Sequence, residues 1–186
     1  MMEFAQDTRS VTDAMAVLAE IERRSQDAAR QLPASQGLQD SWDGLVFSVA
    51  GMSVTAAVQE ISEMLPYQDR ITRVPGAKPW MLGLANVRGS LLPVIDLQLY
   101  LGSKALVPST ASRILVVRLR GIVAGVLVPS VQGLRHFNLG DRISNARMKG
   151  PLGAYVYEAF GVDNEVWPVF SMSALAADPT FRTAAA

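Results

Sequence analysis

The chain has 186 residues, enough for one domain or two small ones with a sizeable core. Its 17 basic and 17 acidic residues cancel, so it lacks the overall positive field with which non-specific nucleic-acid binders collect phosphates, and no nucleic-acid partner is expected. With no cysteine it can form no disulfide, no thiolate zinc site and no cysteine nucleophile.

The opening residues, MMEFAQDTRS, lack the basic and then apolar pattern of a secretory signal, so a cytoplasmic location is expected. Residues 10–32 place Val11, Met15, Leu18, Ile21, Ala28 and Leu32 mostly at three- and four-residue steps without Gly or Pro, which predicts an amphipathic helix. Pro33, Ser35 and Gly37 then mark a linker over 32–42, so residues 1–43 read as a helical extension. Charge is also divided there. The first 43 residues hold eight acids and four bases, whereas 70–149 hold twelve bases and two acids. A solvated strand-and-loop surface explains that basic stretch, and an acidic protein partner would suit it too.

From Leu45 the texture changes to short runs of Val, Ile and Leu between Gly, Pro, Asn and Asp, the pattern of an antiparallel all-β domain. Strands are expected near 44–50, 52–58, 82–88, 91–95, 112–119, 122–128, 131–137, 153–160 and 165–170. Arg120-Gly121 and the GVDN at 161–164 supply tight turns, and Arg88-Gly89 a third hairpin. The most apolar stretch, Ile114 to Val128, is broken by Arg118, Arg120 and Gly121. It falls short of the ~20 apolar residues that a membrane helix needs. Residues 44–177 form the expected β domain, followed by a flexible tail at 178–186.

Two short phrases recur within that domain. PVIDL at 93–97 returns as PVFSM at 168–172, and VQEI at 58–61 returns as VQGL at 131–134. The separations from valine to proline are 35 and 37 residues, so the same marks follow in the same order at nearly the same spacing. A duplicated β unit is the consequence. It also gives the buried-looking acid Asp96 a role. After an extended X-Pro strand end, an acid at 96 is placed to cap a turn of helix over 97–101 that Gly102 stops, and Ser171, its counterpart, is another favoured cap. A catalytic acid would not interchange with serine.

Nothing in the sequence converges on an active site. The single His136 has no second histidine or cysteine with which to share a metal and no serine elbow to activate. No phosphate-binding loop or dinucleotide fingerprint occurs. No catalytic, cofactor-binding or metal-binding residue is therefore expected. A β-barrel ligand-binding module or small hydrolase built on Asp96 or His136 stays as the alternative class.

VQEI at 58–61, RITRVPGAKPWMLGLANVRGSLLPVIDLQLYLG at 70–102 and RGIVAGVLVPSVQGL at 120–134 together resemble the CheW adaptor family of bacterial chemotaxis. The WMLGLANVRG wording at 80–89 is most similar to the branch attached to type IV pilus twitching systems. The resemblance implies two interlocked five-stranded SH3-like barrels, without catalysis or cofactor, coupling a methyl-accepting chemoreceptor tip to the regulatory domain of a CheA-like histidine kinase. Carried over by position, it makes Val58 and Glu60 residues that face kinase and receptor partners, and Arg88 a residue near the receptor-contacting surface. Taken alone, Glu60 reads equally as a solvated strand-end acid. Arg88, at a hairpin, can present its planar fork of donors to a partner carboxylate. The chain departs from the family pattern at Val128-Pro129, where Val-Asp is usual, and at Ser171, where the second half often has Asp. Any partner contact made by those acids is thereby in doubt. The helix at 10–32 has no counterpart in minimal members of the family.

Overall fold

The computed structural model describes residues 40–185, and the helix expected over 10–32 lies outside them. Twelve strands and three short α-helices are found there, with three 3-10 turns between them. Ser41–Val49 (β1) and Met52–Ala57 (β2) form the first hairpin. Glu63–Pro66 (β3), Ile71–Thr72 (β4), Met81–Val87 (β5) and Ser90–Asp96 (β6) follow, then the helix Leu97–Tyr100 (α1). Arg113–Leu119 (β7), Ile122–Val128 (β8), Val131–Asn138 (β9), Arg142–Ser144 (β10), Val156–Val162 (β11) and Glu165–Phe170 (β12) complete the strands. The helices Met172–Ala177 (α2) and Pro179–Ala185 (α3) close the chain.

The strands make two six-stranded sheets with the same plan. One has the order β10-β11-β12-β2-β1-β9, the other β4-β5-β6-β8-β7-β3. In each, a hairpin joins a three-stranded unit through one parallel pairing, β12 with β2 and β6 with β8. The hairpin β1–β2 comes from the first half of the chain and sits in the sheet of the second half. The hairpin β7–β8 makes the reverse exchange. Duplication is thus present as an interlocked pair.

The exchange explains the composition of β7 and β8. Leu115, Val117, Ala124, Val126 and Val128 pack into a central core that also takes Phe47, Val54, Ile95 and Phe170 from the other elements. Ile114, Val116 and Leu127, pointing to the opposite face, pack into a separate core with Val94 and Leu92. Strands covered on both faces need apolar residues at every position, so their sequences run ILVV and VAGVLV without alternation. A third cluster, Phe137, Phe160 and Val169 with Trp42 and Trp167 against it, fills the other sheet.

Four two-residue turns drive the hairpins. Ala50-Gly51, Arg88-Gly89, Arg120-Gly121 and Asp163-Asn164 all have positive φ at both residues, the geometry that matches strand twist in type I′ hairpins. Gly83 is required for a different reason. A Cβ there would lie 2.1 Å from the Thr72 carbonyl oxygen, so only glycine lets β4 approach β5.

Three points differ from the expected layout. Each sheet has six strands rather than five, because β4 and β10 add short edges of two and three residues. β3, β4 and β10 were not anticipated, since each offers at most two apolar residues and cannot show an alternating pattern. Within 178–186, expected as a flexible tail, Pro179–Ala185 instead form α3. Its Phe181 is fully buried in the central core, so this segment is part of the packed domain.

Candidate functional site

The corner between β2 and β3 is a 3-10 turn, Val58–Glu60, closed by the Ile61 amide on the Val58 carbonyl at 3.0 Å. Val58 is half-buried against the central core. Glu60 turns inward as well. Its Oε2 accepts from the Met172 amide at 2.8 Å and its Oε1 from the Ser173 amide at 3.0 Å. Ser171 Oγ accepts from the Ala174 amide at 3.0 Å. Three amides in the first turn of α2, which have no partner within the helix, are thereby satisfied. The Ser173 hydroxyl in turn accepts from Arg120 Nε at 3.2 Å. Glu60 therefore fastens the first half of the chain to the second, a role that sequence reasoning missed because its partners lie 112 and 113 residues away.

Arg88 stands at the tip of the β5–β6 hairpin. Its backbone is held in the left-handed region, φ 51°, by a turn that Asn86 Oδ1 stabilises, accepting from the Gly89 amide at 2.9 Å. The N-x-R-G wording is thus a turn with an arginine fixed on it. The side chain is 79% exposed, and its Nη2 donates to Glu63 Oε1 at 2.6 Å, where the Glu63 side chain is only 23% exposed. Arg88 pairs with Glu63, on β3, and not with Glu60. Beside this pair the surface is concave, about 130 Å³, lined among others by Leu91, Val116, Arg118 and Val123. Glu63 and Arg118 gave no signal in the sequence beyond their charge.

Asp96 is 1% exposed and uses both oxygens on backbone. Oδ1 accepts from the Leu99 amide at 3.1 Å, capping α1, and Oδ2 accepts from the Leu106 amide at 2.7 Å, pinning the segment that links the two halves. Gly102, φ 76°, ends α1. Its amide bonds Leu99 O at 3.0 Å and the Ser103 amide bonds Gln98 O at 2.9 Å, the paired bonds of a Schellman stop.

The remaining polar groups are engaged in similar ways. His136 Nδ1 lies 2.5 Å from Asp43 Oδ1 across β9 and β1. Arg142 pairs with Glu158. At α3, Asp178 Oδ1 accepts from the Thr180 amide at 2.8 Å and Oδ2 from the Tyr155 hydroxyl at 2.8 Å, with the Tyr100 hydroxyl 3.3 Å from that of Tyr155. Burial pushes both tyrosine hydroxyls above their ordinary range, and the nearby Asp178 charge adds to it. Burial acts to raise Asp178 too, but the bonds from Tyr155, the Thr180 amide, Tyr100 and the Phe181 amide outweigh it and hold the carboxyl below its usual value.

No group of three or more His, Asp or Glu side chains is placed to hold a metal among the described residues. A concavity of about 690 Å³ lies between residues 74–78 and α3 and is lined by Val74, Pro75, Lys78, Met81, Pro179 and Thr183, among others. None of the site residues expected from the sequence lines it. Among the described residues no helix is long and apolar enough to cross a membrane.

The chain is 36% identical to Protein PilI of Pseudomonas aeruginosa over 162 residues, 86% of this chain and 89% of that protein. Chemotaxis protein CheW of Bacillus subtilis is 33% identical over 84 residues, 45% of this chain and 53% of the relative. Chemotaxis protein CheW of Rhizobium meliloti is 36% identical over 78 residues, 42% of this chain and 48% of the relative. The crystal structure of scaffolding protein TtCheW from Thermoanaerobacter tengcongensis superposes with a TM-score of 0.65 at 24% identity, covering 75% of this chain and 94% of that one, which supports the shared fold. The model of the CheW-like domain matches residues 43–180, most of the chain, taking in β1 from Asp43 onward and the other eleven strands whole, and the chain belongs to that family.

Proposed function

We propose that this chain is a non-catalytic adaptor that couples the cytoplasmic tip of a methyl-accepting chemoreceptor to the regulatory domain of a CheA-like histidine kinase. The observation that carries the reading is the match to Protein PilI across nearly the full length of both chains, with the interlocked fold beneath it. That relative, rather than the partial matches to CheW proteins, favours a chemosensory system that controls type IV pili and twitching motility over a flagellar one. Each sheet, in this reading, closes as an SH3-like barrel. The protein works in the cytoplasm and is recruited to membrane-bound receptor arrays, at the cell pole where pili are controlled.

Geometry and the family assignment support a site centred on Arg88. Arg88 is the direct contact, since its guanidinium is exposed on a rigid turn while Val58 and Glu60 face inward. Val58 and Glu60 support the contact surface by fixing the β2–β3 corner. Arginine suits this position because its fork keeps donors free for a partner carboxylate when one donor is already engaged. Asp96, Gly102 and Ser171 are structural caps in this scheme.

Size-exclusion chromatography of the purified chain with a CheA-like kinase regulatory-domain fragment tests the reading. Co-elution as a stoichiometric complex is expected. Separate elution at concentrations of tens of micromolar would remove the adaptor assignment.

A further inference from the structure

The concavity next to Arg88 has more cation than its own carboxylate can neutralise. Two guanidiniums, Arg88 and Arg118, and one acid, Glu63, line it. Arg88 is bound to Glu63 through Nη2 alone, and Arg118 on β7 is exposed and has no hydrogen-bond or ion-pair partner among the described residues. Apolar surface adjoins the charges: Leu91 is 69% exposed and Val123 37%, on strands otherwise packed into the core. The walls come from both halves of the chain, β3 and the β5–β6 hairpin from the first and β7–β8 from the second. Interlocking is what assembles this surface.

We infer that Glu63 is an internal competitor at a docking pocket for an acidic partner segment, whose carboxylate displaces or shares with Glu63 on Arg88, takes the unpaired Arg118, and whose adjacent apolar side chain covers Leu91 and Val123. The inference rests on the adaptor reading and adds its partner chemistry and two new residues. Charge complementarity selects the occupant. A neutral apolar segment would leave Arg118 desolvated without a partner, which costs free energy, whereas a carboxylate beside an apolar side chain satisfies both features of the pocket. Glu63 then sets specificity. It partly neutralises Arg88 in the free protein, so a weakly acidic segment gains little by binding and a well-placed carboxylate is needed to compete.

The test uses the whole chain and, as probe, a soluble helical-hairpin fragment of a chemoreceptor cytoplasmic tip, with a second version whose acidic residues are changed to the corresponding amides. Binding is measured by titration calorimetry at low salt and near 1 M salt for wild type, Arg88→Glu, Arg118→Gln and Glu63→Gln. Glutamine at 63 still offers an oxygen to Arg88, so the turn keeps its geometry and only the charge is removed.

Glu63→Gln is expected to tighten binding about two- to fivefold and Arg118→Gln to weaken it by a similar factor, the range spanned by exposed ion pairs. Both effects shrink at high salt, where the screening length falls to about 3 Å. The amide version of the probe loses the Arg118 effect. Unchanged or weaker binding by Glu63→Gln overturns the inference while Arg88→Glu still weakens binding. Unchanged binding by Arg88→Glu removes the adaptor site itself, a separate outcome. Thermal unfolding of each variant verifies that a loss is not misfolding, and Arg118, being exposed, provides a readout independent of the β3 pair.

Discussion

Asp96 shows how much a single buried carboxylate can hold. With one oxygen on Leu99 and the other on Leu106, it has no room for a donor. Asparagine, an excellent cap in isolation, would point its amide protons at one of those two backbone amides. We expect Asp96→Asn to lower stability by about 1–3 kcal/mol, the cost of an unsatisfied buried donor, measured by urea denaturation. The α2 cap is divided between two residues, so Ser171→Ala and Glu60→Gln should each cost about 1 kcal/mol or less. The Asp178 latch gives a pH signature. Because its folded carboxyl is held below the ordinary value, its contribution is present above the unfolded carboxylate range and is lost as pH falls through the depressed folded value. Tyr100 and Tyr155 are raised, so their contribution is complete below about pH 10 and is lost as pH rises past it. Thermal melts of wild type and Asp178→Asn across acid pH should converge as pH falls. At this scale, the caps were legible wherever the signal was local. The PVIDL and PVFSM phrases marked Asp96 and Ser171, since a cap sits two or three residues from the amides it serves. The Leu106 and Met172 bonds had no such mark, because their donors are ten and 112 residues distant.

Among the elements, the hairpins were readable and the edges were not. Arg-Gly and Asp-Asn pairs specify positive φ locally, and the strands beside them are seven residues long or nearly so. β3, β4 and β10 owe their pairing to neighbours already in place, as with the backbone contact that Gly83 permits. The same holds for α3. Pro179, Thr180 and Thr183 look like tail, and one apolar residue, Phe181, changes the outcome by finding the central core beside Tyr100, with ring centroids 5.7 Å apart. Phe181→Ala is expected to cost about 3–5 kcal/mol and to release α3, seen as a lower melting temperature and new protease sensitivity at the C-terminal end.

For the molecule as a whole, the duplication is visible as repeated phrases, while the interlocking of the halves comes from the resemblance to CheW proteins and not from the residues themselves. No residue type announces that β1–β2 will pair with the other half. The apolar faces show it afterwards: β7–β8 feeds both the central core and the separate one, and β1–β2 sends Phe47 and Val54 to the central core and Trp42 to the aromatic cluster. A consequence is that neither half can cover its own core. Residues 41–110 and 112–186 made as separate fragments should each lack fixed tertiary structure and should recover near-native near-ultraviolet dichroism when mixed. The exchange also brings Arg118 and Arg88 to one surface, so the proposed partner surface belongs to the folded whole. Coupling of receptor to kinase is the proposed activity of the chain, and reconstituted kinase activity reads it out. Receptor-containing vesicles, a CheA-like kinase and the chain are combined, and kinase autophosphorylation is followed with radiolabelled ATP. Receptor-dependent kinase control is expected with wild type and its loss with Arg88→Glu, while Arg88→Glu stays folded. Receptor control that is equally strong without the chain, or unchanged by Arg88→Glu, would contradict it.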